Sequence, residues 1–265
     1  MKHNFKIYLR WQRANFKSEL QYKIDFFLTS ITVLAQPITA IISFYILLDK
    51  FKIIGGWTFW QVMLMYSLWR IGHSISISFF QQAWNLENYI QNGLFDRFLT
   101  TPLNPLFQLF CIGYNKIGLA HFISGLIIFV LSYEKLGLTY NFFNISFIVV
   151  SVISAAIIEM SITLIMSSLS FWLVKSGNIL RIVIDINYSF MQYPIDIYNK
   201  GLRLVLTFIF PYAFMSYYPS RYFISNGESI NIVLSYLGPL ASVISLIVAV
   251  IIFNLGIRHY TGAGN

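Results

Sequence analysis

Two ionisable residues stand inside long apolar stretches of the sequence, Arg70 in one and Glu159 in another. An ionised side chain costs several kcal/mol in hydrocarbon, so each must face protein groups or water. Both lie near the middle of their stretches, which predicts an ion pair that ties two membrane helices together. Two alternatives stay open: hydroxyl and carbonyl groups could satisfy each residue separately, or either residue could contact a substrate directly.

A third apolar stretch, 178–194, carries Arg181, Asp185 and Asn187. Arg181 and Asp185 are spaced to lie on one helical face, where they can form a salt bridge. The alternative is a polar face that lines a pathway, which Asn187 favours. Either interpretation places this stretch against protein or water rather than lipid.

The motifs of common catalytic and nucleotide-binding sites are absent from the sequence. It contains no GxxxxGKS or GxxxxGKT loop, no GxGxxG after a strand pattern, no HExxH and no GxSxG. The four histidines are scattered, and His73, one turn after Arg70, is interpreted as a buried core histidine. We therefore expect no catalytic residue and no metal site, and any ATP must bind to another chain.

Composition indicates which elements must position these residues. Of 265 residues, 57% are hydrophobic and 11% are charged, whereas a soluble domain carries about 25% charged residues. The mean hydropathy of +0.66 indicates an integral membrane protein. The formal net charge is +8, but the basic residues gather before the first apolar stretch. The positive-inside rule explains that distribution better than nucleic-acid binding does.

The apolar stretches predict an all-α integral membrane fold with six transmembrane helices, because each span needs about 20 apolar residues. The predicted spans are 24–48, 57–80, 109–131, 145–173, 178–194 and 230–257. Six spans place both termini in the cytoplasm, provided that 178–194 crosses the membrane fully.

Two further segments border the predicted spans. Residues 1–23 carry basic and apolar stripes, which predict an amphipathic helix in the cytoplasmic interface; the alternative is a helix packed on a soluble partner. Residues 195–225 contain an apolar run interrupted by proline and polar residues, which predicts a re-entrant helical hairpin in the outer leaflet. The single cysteine, Cys111, is interpreted as a small buried hydrophobe.

The most distinctive interval is 87–107, with the sequence ENYIQNGLFDRFLTTPLNPLF. Asn92 and Gly93 break the preceding helix, residues 94–99 can form one or two amphipathic turns, and two prolines stop them. A short, rigid and partly apolar cytoplasmic helix suits docking to a soluble partner. The alternative is a loop helix that rests on lipid headgroups.

This interval resembles the coupling-helix region of permease subunits of bacterial ABC-2 type exporters, which follows the pattern x-G-x-L/F-D-x-x-L-x-x-P-L-N-P. The resemblance implies that ATPase subunits dock on Leu94, Phe95, Asp96, Arg97, Phe98, Leu99, Pro102, Asn104 and Pro105. The carboxyl end is similar to the family's short basic-Tyr-x-x-Gly tail, although one residue rather than two separates Tyr260 from Gly262.

The resemblance further implies a half-transporter in a bacterial cytoplasmic membrane, paired with a second permease that is either identical or related; a related but different chain is favoured.

 The second permease would be this related chain. ATP and Mg would bind to the separate ATPase subunits, so we expect no cofactor in this chain. The substrate path would lie at the permease interface, lined by Arg181, Asp185 and Asn187. A hydrophobic peptide, an antibiotic or a lipid would suit such a path. The alternatives are a channel or sensor partner of another transporter, or a membrane-embedded enzyme.

Overall fold

Helices make up nearly all the regular structure in the computed structural model, which describes residues 8, 10, 11, 13, 23–173, 175–224 and 229–262. The α-helices are α1 (Lys23–Phe51), α2 (Phe59–Phe80), α3 (Leu86–Gln91), α4 (Asp96–Thr100), α5 (Pro105–Cys111), α6 (Ile117–Lys135), α7 (Phe142–Ser168), α8 (Gly177–Phe190), α9 (Lys200–Leu204), α10 (Tyr217–Ile224), α11 (Ser229–Tyr236) and α12 (Gly238–His259). No strand occurs in these ranges. The predicted interfacial helix at 1–23 lies mostly outside the described residues.

Four helical segments are long and apolar enough to cross a membrane: Ile31–Lys50 within α1, Ile117–Lys135, Phe142–Phe171 and Gly238–His259. They establish an all-α, multi-pass membrane protein. Large apolar side chains stay exposed along α1 and α12, such as Ile38 and Ile251. In hydrocarbon such side chains face lipid without cost.

The helix α2 occupies the centre of the bundle and packs mainly on α6 and α7. Most of its residues are buried, including Arg70 and His73. Small residues bring the helices close together, since a Cβ added at Gly72 would lie 2.6 Å from the Cβ of Ala155. Close packing of this kind favours helix association in membranes. Polar side chains on α2 can therefore find protein partners instead of lipid.

Two helices begin eight residues after the predicted position. Helix α6 begins at Ile117 rather than near 109, after a turn in which Asn115 Oδ1 accepts the backbone N–H of Ile117 at 2.8 Å. Near the carboxyl end, α12 begins at Gly238 with Pro239 in its first turn. The stretch predicted as one helix over 230–257 is therefore divided between α11 and α12.

The interval predicted as a hairpin, 195–225, is a series of short helical turns. A 3-10 turn at Ile195–Ile197 leads to α9, a π-turn at Val205–Ile209, a 3-10 turn at Pro211–Phe214 and α10. The helical hydrogen bonding is interrupted before Pro211, because the backbone nitrogen of proline carries no hydrogen to donate. Parts of this interval pack in the main apolar core, including Tyr212 and Phe214.

Candidate functional site

Arg70 lies at the centre of a buried polar cluster and is 1% exposed. Its Nε donates to Ser124 Oγ at 2.7 Å on α6, and its Nη1 donates to Tyr66 Oη at 3.2 Å. Its Nη2 donates to the backbone oxygen of Val33 at 3.1 Å on α1. One side chain thus ties α2 to two neighbouring helices, entirely through neutral acceptors.

Glu159 has a different partner from the one predicted. Its Oε1 lies 2.5 Å from His73 Nδ1, and the hydroxyl of Tyr188 on α8 lies 2.6 Å from His73 Nε2. The ion pair predicted between Arg70 and Glu159 is absent, because His73, one turn further along α2, occupies the position facing the carboxylate. Neither His73 nor Tyr188 was predicted as a partner, since spacing along the chain carries no information on which helices face each other.

Two buried polar atoms in this cluster have no hydrogen-bond partner, Glu159 Oε2 and His121 Nδ1. The His121 ring packs edge-on against His73, with ring centroids 5.0 Å apart. A group of three or more His, Cys, Asp or Glu residues able to hold a metal ion does not occur in the described part of the chain.

The residues predicted on 178–194 separate into two environments. Asn187 is 3% exposed, and its Oδ1 accepts from Trp69 Nε1 at 3.2 Å, so it belongs to the buried cluster. Arg181 and Asp185 are exposed on α8 and line a polar groove of about 660 Å³ together with Glu87. They do not form the predicted salt bridge with each other.

The segment 94–105, here called the docking segment after the role predicted for it from the sequence, is held by aromatic side chains. Phe95 and Phe98 are 0% and 6% exposed. The Phe95 ring packs edge-on against Phe171 and Tyr260, at centroid distances of 5.1 and 5.2 Å. Leu94 and Leu99 point outward, with 54% and 44% of their surface exposed.

Polar contacts fix the rest of the docking segment. Asp96 Oδ1 accepts from the hydroxyl of Tyr260 at 2.9 Å. Asn104 caps α5, since its Oδ1 accepts the backbone N–H of Leu106 at 2.9 Å, and Pro105 fills the first helical position. Gln108, which the sequence did not single out, donates to the backbone oxygen of Phe98 at 2.8 Å. Among the other predicted docking residues, Arg97 is exposed and Pro102 lies in the turn between α4 and α5.

A carboxylate links this end of the molecule to α8. Glu87, on α3, accepts from Ser176 Oγ at 3.2 Å and from the backbone N–H of Gly177, the first residue of α8. A carboxylate at a helix N-terminus is stabilised by the helix dipole and by unsatisfied N–H groups. This contact therefore joins α3 to the N-terminus of α8.

Asp196 fastens the series of short helical turns that follows α8. Its carboxylate accepts from Trp57 Nε1 at 2.8 Å, from the Tyr217 hydroxyl at 2.9 Å and from Arg221 Nη2 at 2.8 Å. The Arg221 guanidinium also lies 5.2 Å from the centroid of the Trp57 ring. These contacts join the α1–α2 turn to the segment that contains α10.

An all-helical bundle with apolar helices of membrane length, and with its internal charges held by protein partners, defines a multi-pass membrane protein. The chain belongs to the ABC-2 transporter family, since the family model described as ABC-2 family transporter protein matches residues 34–264. The resemblance to ABC-2 permeases is thereby confirmed. No curated protein and no solved structure matches the chain. Membership implies a permease role and ATPase subunits as partners.

Proposed function

We propose that the chain is the membrane-spanning subunit of an ATP-driven exporter that moves its substrate along an interface with a second, related permease. The observation that carries this proposal is how the docking segment is attached to the bundle and what it exposes. Buried Phe95 and Phe98 anchor it to the bundle, while Leu94 and Leu99 remain exposed beside Arg97. Exposed leucines on a rigidly held turn suit a protein partner, because flexible attachment would absorb the partner's motion.

The contacts around the docking segment support transmission of that motion. Phe95 packs on Phe171, just after α7, and on Tyr260, just after α12. Glu87 reaches the first residue of α8. When ATP closes the ATPase subunits, displacement of the docking segment would move these three helices together as rigid bodies.

The chain has six spans if α2 and α8 cross the membrane in addition to the four apolar helices. Helix α2 is shielded from lipid by its neighbours, so its polar residues do not prevent crossing. Helix α8 has 14 residues and is about 21 Å long, short of the roughly 30 Å hydrocarbon core. Its exposed Arg181 and Asp185 would lie against the second permease and the water-filled path between the two chains.

The orientation follows from the basic amino-terminal residues. Trp11 lines the same cavity as Leu94, so this amino-terminal residue lies beside the docking segment. Tyr260 contacts Asp96 at this end of the bundle as well. By the positive-inside rule this end faces the cytoplasm of a bacterial cell. The substrate would be a hydrophobic peptide, an antibiotic or a lipid.

Affinity purification tests the docking proposal. A tagged chain expressed in its own host should copurify an ATP-binding-cassette ATPase and a second permease, both identified by mass spectrometry. The double variant Leu94→Asp/Leu99→Asp should copurify at least about tenfold less ATPase, because it removes a hydrophobic docking contact of about 2 to 3 kcal/mol. Ile53→Asp, at an exposed position in the turn after α1, is the matched control and should retain it. Equal ATPase recovery in all three samples would contradict the proposal.

A further inference from the structure

Among the residues that the structure describes, no carboxylate contacts Arg70 to balance its charge. Its three hydrogen-bond acceptors are neutral, and none of the ion pairs among the described residues includes it. The carboxylate of Glu159 is engaged by His73. A buried cation without a counter-ion is costly, because desolvation is not offset by a charge of opposite sign.

The guanidinium retains donors for a ligand. It has five N–H bonds, of which three are used, so two remain without an acceptor in the described part of the chain. Arg70 also lines a cavity of about 220 Å³ at the meeting point of α1, α2 and α8. The unused donors therefore belong to a side chain that borders open space.

Other polar groups border the same cavity. Gln36, Thr39 and Ser43 form a polar stripe on α1, and Gln192 follows α8. The hydroxyls of Thr39 and Ser43 donate within their own helix. The side-chain amides of Gln36 and Gln192, by contrast, make no hydrogen bond among the described residues. Amide and guanidinium N–H groups around one cavity are the donors that bind carboxylate and phosphate.

We propose that this cavity binds the carboxylate or phosphate group of an anionic amphiphile, with Arg70 as its counter-ion. The cavity is smaller than the roughly 300 Å³ of a typical drug-sized pocket, so it fits a headgroup rather than a whole molecule. The apolar part of the ligand would lie along the exposed apolar face of α1, which includes Ile38 and Ile42. That the ligand is the exported cargo, rather than a resident lipid, rests on the proposed function.

Equilibrium binding to the purified assembly tests the site. Radiolabelled dodecanoate and dodecyl phosphate should bind the wild type, whereas dodecanol and dodecyltrimethylammonium, which share the tail, should bind at least about tenfold more weakly. Arg70→Gln should abolish this preference for anions. Equal binding of anionic, neutral and cationic probes to the wild type would overturn the proposal.

A second variant keeps the test valid if Arg70→Gln does not fold. Gln36→Glu places a carboxylate at the edge of the cavity, one turn from Val33, whose backbone oxygen contacts Arg70. The new carboxylate should occupy the site and reduce dodecanoate binding at least about tenfold. Gln61→Glu is the matched control, because Gln61 accepts the backbone N–H of Thr58 at 2.9 Å and glutamate can keep that capping contact. Equal loss of binding in both variants would contradict the proposal.

Two additional measurements distinguish a resident lipid from exported cargo. They also separate failure of this inference from failure of the proposed function. Retention of phosphatidylglycerol over phosphatidylcholine by the wild type, lost in Gln36→Glu, identifies a resident lipid headgroup. Stimulation of ATP hydrolysis by dodecanoate, lost in the same variant, identifies cargo. If anion preference is absent while the ATPase still copurifies, this inference fails alone. If anion preference is present without an ATPase, the proposed function fails alone.

Discussion

His73 connects more helices than any neighbouring residue in the buried cluster. From α2 it contacts Glu159 on α7 and Tyr188 on α8, and its ring packs against His121 on α6. Its role is to satisfy a carboxylate that would otherwise be buried alone. The stability of the cluster therefore depends on the pair rather than on either residue.

A double-mutant cycle tests that dependence. His73→Leu should destabilise the protein by about 3 kcal/mol or more, because it leaves Glu159 buried without a partner. His73→Leu/Glu159→Leu should recover most of this loss, since a buried pair can be replaced by apolar residues. Thermal unfolding followed by size-exclusion chromatography reports both values. A double variant as unstable as the single one would contradict the assignment.

The only cysteine gives a second test at this scale. Cys111 is the last residue of α5, before the membrane-length helix α6, and burial raises the pKa of its thiol to about 11, from an ordinary value of 9.0. Because the thiolate is the reactive form, at pH 8 its fraction should be about 100-fold lower than that of an ordinary thiol. N-ethylmaleimide labelling should be slow at pH 8 and accelerate as the pH rises towards 11. Leu99→Cys in a Cys111→Ser chain is the exposed control; similar rates for the two thiols would contradict this burial.

At the scale of elements, α3 and the docking segment each hold different helices at the same end of the bundle. The carboxylate on α3 holds the N-terminus of α8, and the aromatic contacts of Phe95 hold the ends of α7 and α12. The short helical turns after α8 are fastened separately, by Asp196. The two ends of the bundle are thus constrained by different groups.

Removing the charge of Glu87 should loosen α8 locally. Glu87→Gln is expected to weaken the capping of the helix by about 0.3 to 1 kcal/mol. The hydrogen-exchange rates of the backbone amides at 177–181 should rise about two- to fivefold, which is the change that this loss of free energy corresponds to. Glu134→Gln, on α6, should leave these amides unchanged. Unaltered exchange in Glu87→Gln would show that the carboxylate does not hold the helix.

At the scale of the whole molecule, the sequence predicted the membrane class, the helical fold and the family. Composition and apolar periodicity carry that information directly. Partner choice inside the bundle was not predictable, because whether Arg70 or His73 faces Glu159 depends on the relative rotation of two helices. The neighbours of α2 in the bundle surround it, so its polar residues contact protein and the helix does not need an apolar surface.

The direct test of the account is whether an ATPase contacts the docking segment. A photo-crosslinking amino acid at position 99, where Leu99 is exposed, should form a covalent adduct with an ATP-binding-cassette ATPase in intact cells. The same probe at position 53, in the turn after α1, should form none. The account predicts an adduct only from position 99. Absence of an ATPase adduct at 99, or equal adducts from both positions, would contradict it.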